Sequence, residues 1–258
     1  MRQLIKLSGH SKNKLQRIKN YWLTQEPPAL SNIHYKQAKY LIFDGTYFHQ
    51  DGCLAILMDY RNKTLISCEY IGRESYHNVY PILLDLKNKG LHPKAITTDG
   101  HRRVINAIMD VWPSIKIQRC LFHIQNQGLM WIRTYPRTEA GKQLRNILKS
   151  LTPIKTKKDQ KDFLNTYDNW FKAFEYDIKK LSKTSIANTD LKRTMSLINN
   201  ALPNKFHFIK DRNIAPTTNI LENLFSQLKH QYRSHRGLSQ KHKIQYLKWY
   251  CYFKNTKK

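Results

Sequence analysis

Nine residues, Tyr40 to Phe48 (YLIFDGTYF), are apolar or aromatic on both sides of a single acid. A strand with one wet face alternates polar and apolar residues, and a strand covered on both faces does not. The run therefore predicts an interior strand of a covered sheet. It also puts Asp44 where a carboxylate is costly unless paired or bound to a cation. The competing reading is an acid on the wet face of a half-buried strand.

The segments that follow extend the sheet. His49 to Gly52 reads as a hairpin turn, Cys53 to Tyr60 as a second strand and Thr64 to Ile71 as a third, with a turn at Arg61–Lys63. Helical spacing then runs from Glu74 to Lys89, with Tyr76, Val79, Tyr80, Leu83 and Leu84 on one side, and Gly90 ends it. Lys94 to Thr98 is a short strand ending at Asp99-Gly100. Arg102 to Val111 is a helix stopped by Pro113, and Ile115 to Phe122 is a fifth strand. The order β-β-β-α-β-α-β predicts an α/β fold with a mixed sheet and resembles the opening of an RNase H-like fold.

Residues 124–210 show helical patterning and little strand. Trp131, Leu144, Ile147, Leu148, Leu151, Phe163, Trp170, Phe171, Phe174 and Ile178 are its expected core, and KTKKDQK at 155–161 reads as a solvated loop. From Thr218, Leu221, Leu224, Phe225, Leu228 and Tyr232 mark one face of a strong helix whose polar face carries Glu222, Ser226, Lys229 and Arg233. A last helix, Lys241 to Phe253, carries Ile244, Leu247, Trp249 and Tyr250. At the other end, residues 2–8 and Lys12 to about Leu23 form two helices around a Gly9-His10 turn, the second capped by Ser11. Leu4, Ile5, Leu7 and then Leu15, Ile18, Tyr21 and Trp22 are expected to face inward. Lys12, Asn13, Lys14 and Arg17 lie opposite, the outline of a helix-turn-helix segment that contacts DNA. The expected organisation is thus a DNA-binding segment at 1–26, a linker at 27–38, the first part of the core at 39–123, an all-α insertion at 124–210 and the rest of the core at 211–258.

Charge separates along the chain as it would for a protein that both grips a polyanion and clusters carboxylates. The net formal charge is +27. Residues 1–40 carry 8 basic and 1 acidic side chains, residues 41–141 carry 12 and 9, and residues 142–258 carry 25 and 8. Half the acids sit in the near-neutral middle, between strongly basic flanks, and a nucleic acid is the expected partner. Charge alone fits a generally basic binding protein equally well. Cys53, Cys68, Cys120 and Cys251 are too few and too far apart for a disulfide scaffold and include no Cys-x-x-Cys pair. That spacing, with no long apolar run, predicts a cytoplasmic protein that associates with the nucleoid when bound to DNA and does not engage a membrane.

Three acids carry the expected chemistry. Asp44 lies mid-strand, Asp99 at a strand tip before glycine, and Glu222 one turn into a helix. Each has an ordinary alternative: an exposed acid, a turn-forming Asp-Gly, an acid favoured by the helix dipole. In an RNase H-like sheet the first and fourth strands adjoin, so Asp44 and Asp99 become neighbours and the late helix lays Glu222 across them. Converging carboxylates repel unless cations lie between them, and hard oxygen ligands suit Mg²⁺ or Mn²⁺. Two such ions can support an in-line displacement at phosphorus. Lys229, two turns after Glu222 on the same face, is placed to hold a phosphate. Arg233, His230 and His101 are weaker candidates of the same kind.

The set LIFDGTYF, ITTDGHRRV, QRCLFHIQNQ and TTNILENLFSQLK resembles the Mutator-like group of bacterial insertion-sequence transposases, from about residue 2 to residue 253. The resemblance implies a DDE transposase on an RNase H-like core, with Asp44, Asp99 and Glu222 as its triad. It matches Cys120 and His123 to a Cys-x-x-His signature near the active site, for which a structural or DNA-positioning role is expected rather than zinc. It implies cleavage at the terminal inverted repeats of an element, joining to target DNA, and a homodimer or higher assembly on DNA. Relatives carry an upstream zinc ribbon and a full helix-turn-helix. This sequence starts at the first helix, which predicts an incomplete end-recognition module. Two rivals share parts of the pattern: another RNase H-like nuclease of junction-resolvase type, and a non-catalytic DNA-binding derivative.

Overall fold

A computed structural model describes residues 2–30, 33–48, 52–235 and 237–256. Five strands, β1 (Tyr40–Tyr47), β2 (Cys53–Asp59), β3 (Thr64–Ile71), β4 (Ala95–Thr98) and β5 (Lys116–Arg119), form one sheet in the order β3-β2-β1-β4-β5. β1 pairs antiparallel with β2, and β2 with β3, while β1 pairs parallel with β4, and β4 with β5. The fold is α/β with a mixed sheet. β1 is interior, as its two-faced apolar run demands, with Leu41, Ile42 and Phe43 all buried. The predicted hairpin at His49–Gly52 falls largely outside the described residues. Its described ends are closed by the Phe48 N–H donating to the Gly52 carbonyl at 3.0 Å.

Three hydrophobic clusters organise the packing. One sheet face, with Leu41, Phe43, Leu57 and Ile96, packs on α3 (Tyr76–Asn88) and α4 (Arg102–Val111). The opposite face, with Ile42, Leu54 and Ile56, packs on α10 (Asn219–Arg233) and α11 (Gln240–Thr256). The third cluster is built mainly from α5 (Leu121–Ile132), α6 (Glu139–Lys149), α7 (Lys157–Lys180), α8 (Ile186–Ala201) and α9 (His207–Lys210).

Several boundaries and faces differ from the sequence reading. Helix α3 starts at Tyr76, with the Ser75 side chain accepting from Asn78 N–H, so Glu74 lies outside it. β5 stops at Arg119, and Cys120 becomes the N-cap of α5 rather than part of a strand. The 155–161 run is not a loop throughout. Thr156 and Asp159 form a capping box, and the lysines after it belong to the first turns of α7. Trp131 stands outside the helical core, where Trp170 is buried.

Both ends also depart from expectation. Helices α1 (Arg2–Ser8) and α2 (Lys12–Trp22) form, and Ser11 caps α2, but α2 buries no residue. Leu4, Leu7, Ile18, Tyr21 and Trp22 are exposed, and α11 meets this segment through Trp22 edge-on to Trp249. Helix α11 buries Lys243, Gln245, Leu247, Cys251 and Asn255, rather than Ile244, Trp249 and Tyr250. The cause is its placement along β3. The Asn255 side chain accepts from Leu65 N–H at 2.9 Å and donates to the Leu65 carbonyl at 2.8 Å. The same placement joins Cys68 of β3 to Cys251 in a disulfide, a pairing that separation along the chain concealed. Cys53 and Cys120 are free and buried.

Lys205 is fully buried between the helical cluster and β5, with Nζ 3.4 Å from the Ile198 carbonyl and 5.0 Å from the Phe163 ring centre. Burial, aided by the Arg119 charge, lowers its pKa to about 7. Below pH 7 the amine is charged in both folded and unfolded chains, and the full desolvation cost weighs on the fold. Between pH 7 and the ordinary value of 10.5 the unfolded chain holds the proton more firmly, so this cost fades as pH rises. Lys205→Met is therefore expected to stabilise the fold at pH 6 by roughly 1–3 kcal/mol, and by much less near pH 10. Denaturant midpoints of both proteins at the two pH values check this, and an advantage that grew with pH would contradict it.

Candidate metal and catalytic site

Parallel pairing of β1 and β4 sets the site. Ile42 is level with Thr97, and two residues further along each strand stand Asp44 and Asp99. The Asp44 side chain is buried. Its Oδ1 accepts from Gly45 N–H at 2.9 Å, while Oδ2 is buried with no hydrogen-bond partner. Asp99 is half-buried in the turn after β4, where its Oδ1 accepts from His101 N–H at 2.9 Å and from the Thr98 hydroxyl at 3.3 Å. Gly100 makes that turn with φ +96°, a backbone region that suits glycine.

Helix α10 brings the third acid. Leu221, Leu224, Phe225 and Leu228 bury against the sheet face that contains Ile42, and this stripe fixes the rotation of the helix about its axis. Glu222, in the first turn, then approaches Asp44. Ligand atoms of Asp44, Glu222 and His123 all lie within 4.8 Å of one another. Asp99 is not in that tight trio, but its charge acts on Asp44.

Cys120 and His123 join two separate chain segments at this point. His123 Nε2 is 3.2 Å from Glu222 Oε1, and Nδ1 is 3.2 Å from Cys120 Sγ and 3.3 Å from Thr218 Oγ1. Cys120 Sγ in turn accepts from Thr218 N–H at 3.3 Å. The start of α5 is thereby laced to the residue that precedes α10. Among the described residues no second Cys/His pair joins them, and His123 is itself one of the three residues whose donor atoms could hold an ion.

One acid of the site went unnoticed in the sequence. Glu74, just before the cap of α3, lies against Gly45: a Cβ added there would sit 2.6 Å from Glu74 Oε1. Glycine next to Asp44 thus leaves room for a fourth carboxylate. Helical spacing alone makes Glu74 the first residue of an amphipathic helix. Ser75 as an N-cap was the signal that could have set it apart.

The electrostatics follow from this crowding. Burial, with the charges of Glu222 and Asp99, pushes Asp44 up to about 7 against the opposing pull of His123. Burial, then Asp99 and Asp44, pushes Glu74 to about 7 as well. For His123, burial disfavours the charged ring, but the hydrogen bond and charge of Cys120, with Asp44 and Asp99, outweigh it and raise the pKa to about 9. The site collects negative charge faster than its one imidazole can balance it.

The remaining candidates are dispersed. Lys229 is half-buried, with Nζ 5.7 Å from the Phe48 ring centre, near the far end of β1. Arg233 is exposed at the last turn of α10, and Lys12, Asn13, Lys14 and Arg17 are exposed on α2. His101 is exposed beside Asp99.

Fold and site define an α/β protein with a partly buried acidic cluster, at the end of its parallel strands, whose donor atoms suit a metal ion. Residues 53–247 match the family described as Transposase, Mutator family, and the chain belongs to that family. No curated protein matches the chain. Membership makes it a transposase, a protein that binds DNA and acts in its recombination. Among the described residues no helix is long and apolar enough to cross a membrane.

Proposed function

We propose that this chain is a DDE transposase of RNase H-like architecture, cutting phosphodiester bonds at the ends of an element and joining the freed ends to target DNA. The observation that carries the reading is the meeting of Asp44 and Glu222, 178 positions apart in sequence, within one cluster of donor atoms. The strand order, with the first aspartate on the interior strand and the second on its parallel neighbour, supports the architecture. The buried, partnerless Oδ2 of Asp44 is the atom a cation would satisfy, and three carboxylates with hard oxygen donors fit Mg²⁺ or Mn²⁺. Two such ions held by Asp44, Asp99 and Glu222 would supply charge neutralisation and Lewis acidity at the phosphorus under attack.

The chain's own residues do the positioning. His123, protonated at neutral pH, holds the Glu222 carboxylate on one side while Cys120 and Thr218 fix its ring from the other. Lys229 offers a cation for a neighbouring phosphate. In cleavage, water attacks phosphorus and the 3′-oxygen of the element leaves. In joining, that 3′-hydroxyl attacks a target phosphodiester and displaces its 3′-oxygen. The exposed cations of α2 contact flanking duplex, in a helix-turn-helix arrangement. Two copies assemble so that both ends are processed together, in a cytoplasmic, nucleoid-bound complex.

The test uses the purified chain, Mg²⁺ and labelled duplexes bearing the terminal repeats that flank its own gene. Nicking at the repeat boundary, lost with EDTA and in Glu222→Gln, is the expected result. Cleavage that persisted in Glu222→Gln would remove the glutamate from the mechanism.

A further inference from the structure

Beside Asp99, where the tip of the sheet meets the helical layer, a cavity of about 540 Å³ is lined by Gly100, Arg102, Arg119, Trp131, Arg193 and Asn200 among others. Three guanidiniums share one small cavity, and two of them are incompletely satisfied: the Nε atoms of Arg119 and Arg193 are both buried with no hydrogen-bond partner. A buried donor left without an acceptor keeps its full desolvation cost, so such atoms are uncommon unless a ligand supplies the acceptor. Arg193 is otherwise anchored, donating to Asp190 and to the Trp131 carbonyl and lying over the Trp131 ring at 5.5 Å. Arg102 is exposed at the start of α4.

Arg119 occupies its place because residue 100 has no side chain. A Cβ on Gly100 would lie 1.8–2.2 Å from the guanidinium atoms of Arg119. The guanidinium therefore lies directly on the turn that presents Asp99, and Asp99 is the carboxylate whose charge it feels most. The planar fork of arginine suits phosphate oxygens, and a cavity of this volume accommodates one nucleotide.

We propose that this cavity is a binding site for a DNA phosphodiester adjacent to the one cleaved, held by Arg119 and flanked by Arg102 and Arg193. The proposal rests on the DNA-cleaving reading above and adds to it the residues that fix the strand beside the acids. With Arg119 on one side of Asp99 and the carboxylate cluster on the other, the strand crosses the site along the ends of β4 and β5.

The experiment measures binding of a fluorescein-labelled duplex with a single-stranded extension to the full chain, from about 50 to 200 mM NaCl. Arg119→Gln is expected to weaken binding about tenfold and to reduce the slope of log affinity against log salt by about one, the loss of one phosphate contact. Arg119→Lys is expected to restore the slope but not all of the affinity. An unchanged slope in Arg119→Gln, at wild-type unfolding temperature, would overturn the proposal. Should that variant misfold, Arg102→Gln, at an exposed position, is read the same way: a slope reduced by about one supports the site and an unchanged slope overturns it. A wild-type chain that bound no DNA would instead sink the broader reading, so the two failures are distinguishable.

Discussion

Asp44→Asn is expected to abolish strand cleavage, by on the order of 10³-fold or more, while making the metal-free protein more stable. The two effects have one origin. Asp44 is the buried carboxylate with a partnerless Oδ2, held beside Glu222, Asp99 and Glu74. Its pKa rises from an ordinary 3.8 to about 7. Below 3.8 the group is protonated in folded and unfolded chains alike and costs nothing. Between 3.8 and 7 the unfolded chain ionises first, and the penalty on the fold grows with pH. Above 7 both states are ionised and the full penalty stands. An uncharged amide of the same shape avoids it, so the variant should gain about 2–4 kcal/mol at pH 8 and little at pH 4. Calorimetry in EDTA across that range measures the gain, and a labelled-duplex assay in Mg²⁺ measures the loss. A variant that was inactive and equally destabilised at every pH would place Asp44 in an ordinary structural role.

Trp170→Ala is expected to cost about 3–5 kcal/mol of stability. The indole is 4% exposed, stacked on Tyr167 at 5.6 Å, and its Nε1–H donates to the Ala140 carbonyl at 3.0 Å. Truncation leaves a cavity at the junction of α6 and α7 and strands a buried carbonyl. Trp131→Ala is the control. Trp131 is half-buried outside that cluster, and its loss should cost under about 1 kcal/mol. Urea midpoints of the two variants decide the matter, and equal costs would mean that the two tryptophans share one packing environment.

These two tryptophans show where sequence reading succeeds and where it stops. Periodicity identifies Trp170 as core because helical spacing places Phe163, Trp170 and Phe174 along one side of α7. It makes the same claim for Trp131, whose ring is only half covered, by Arg193 of α8 at the side of a cavity. The same limit explains α2 and α11. Amphipathic spacing names the face able to bury, but only the tertiary neighbour decides whether it does, and β3 selected the side of α11 that carries Cys251 and Asn255. The burial of β1 and the apolar face of α10 were legible because each rests on a long, regular pattern, while the adjacency of β1 and β4 was expected only from the likeness to an RNase H-like sheet. Asp44 could be picked out because it interrupts such a pattern, whereas Asp99 and Glu222 had ordinary readings alone and were singled out only together, on an RNase H-like sheet. Glu74 and Arg119 could not. Each sits at an element boundary, and there a shift of one or two residues redirects the side chain.

The amide of Asn255 has a role out of proportion to its size. β3 is one of the two edge strands of the sheet, and an uncovered margin of peptide groups invites a foreign strand to zip alongside. By meeting both hydrogen-bonding groups of Leu65, one side chain imitates the missing neighbour and seals that stretch. On the reading proposed above, in which several copies gather on one nucleic acid, the chain would work at high local crowding. Sealing the sheet edge leaves association to surfaces meant for it.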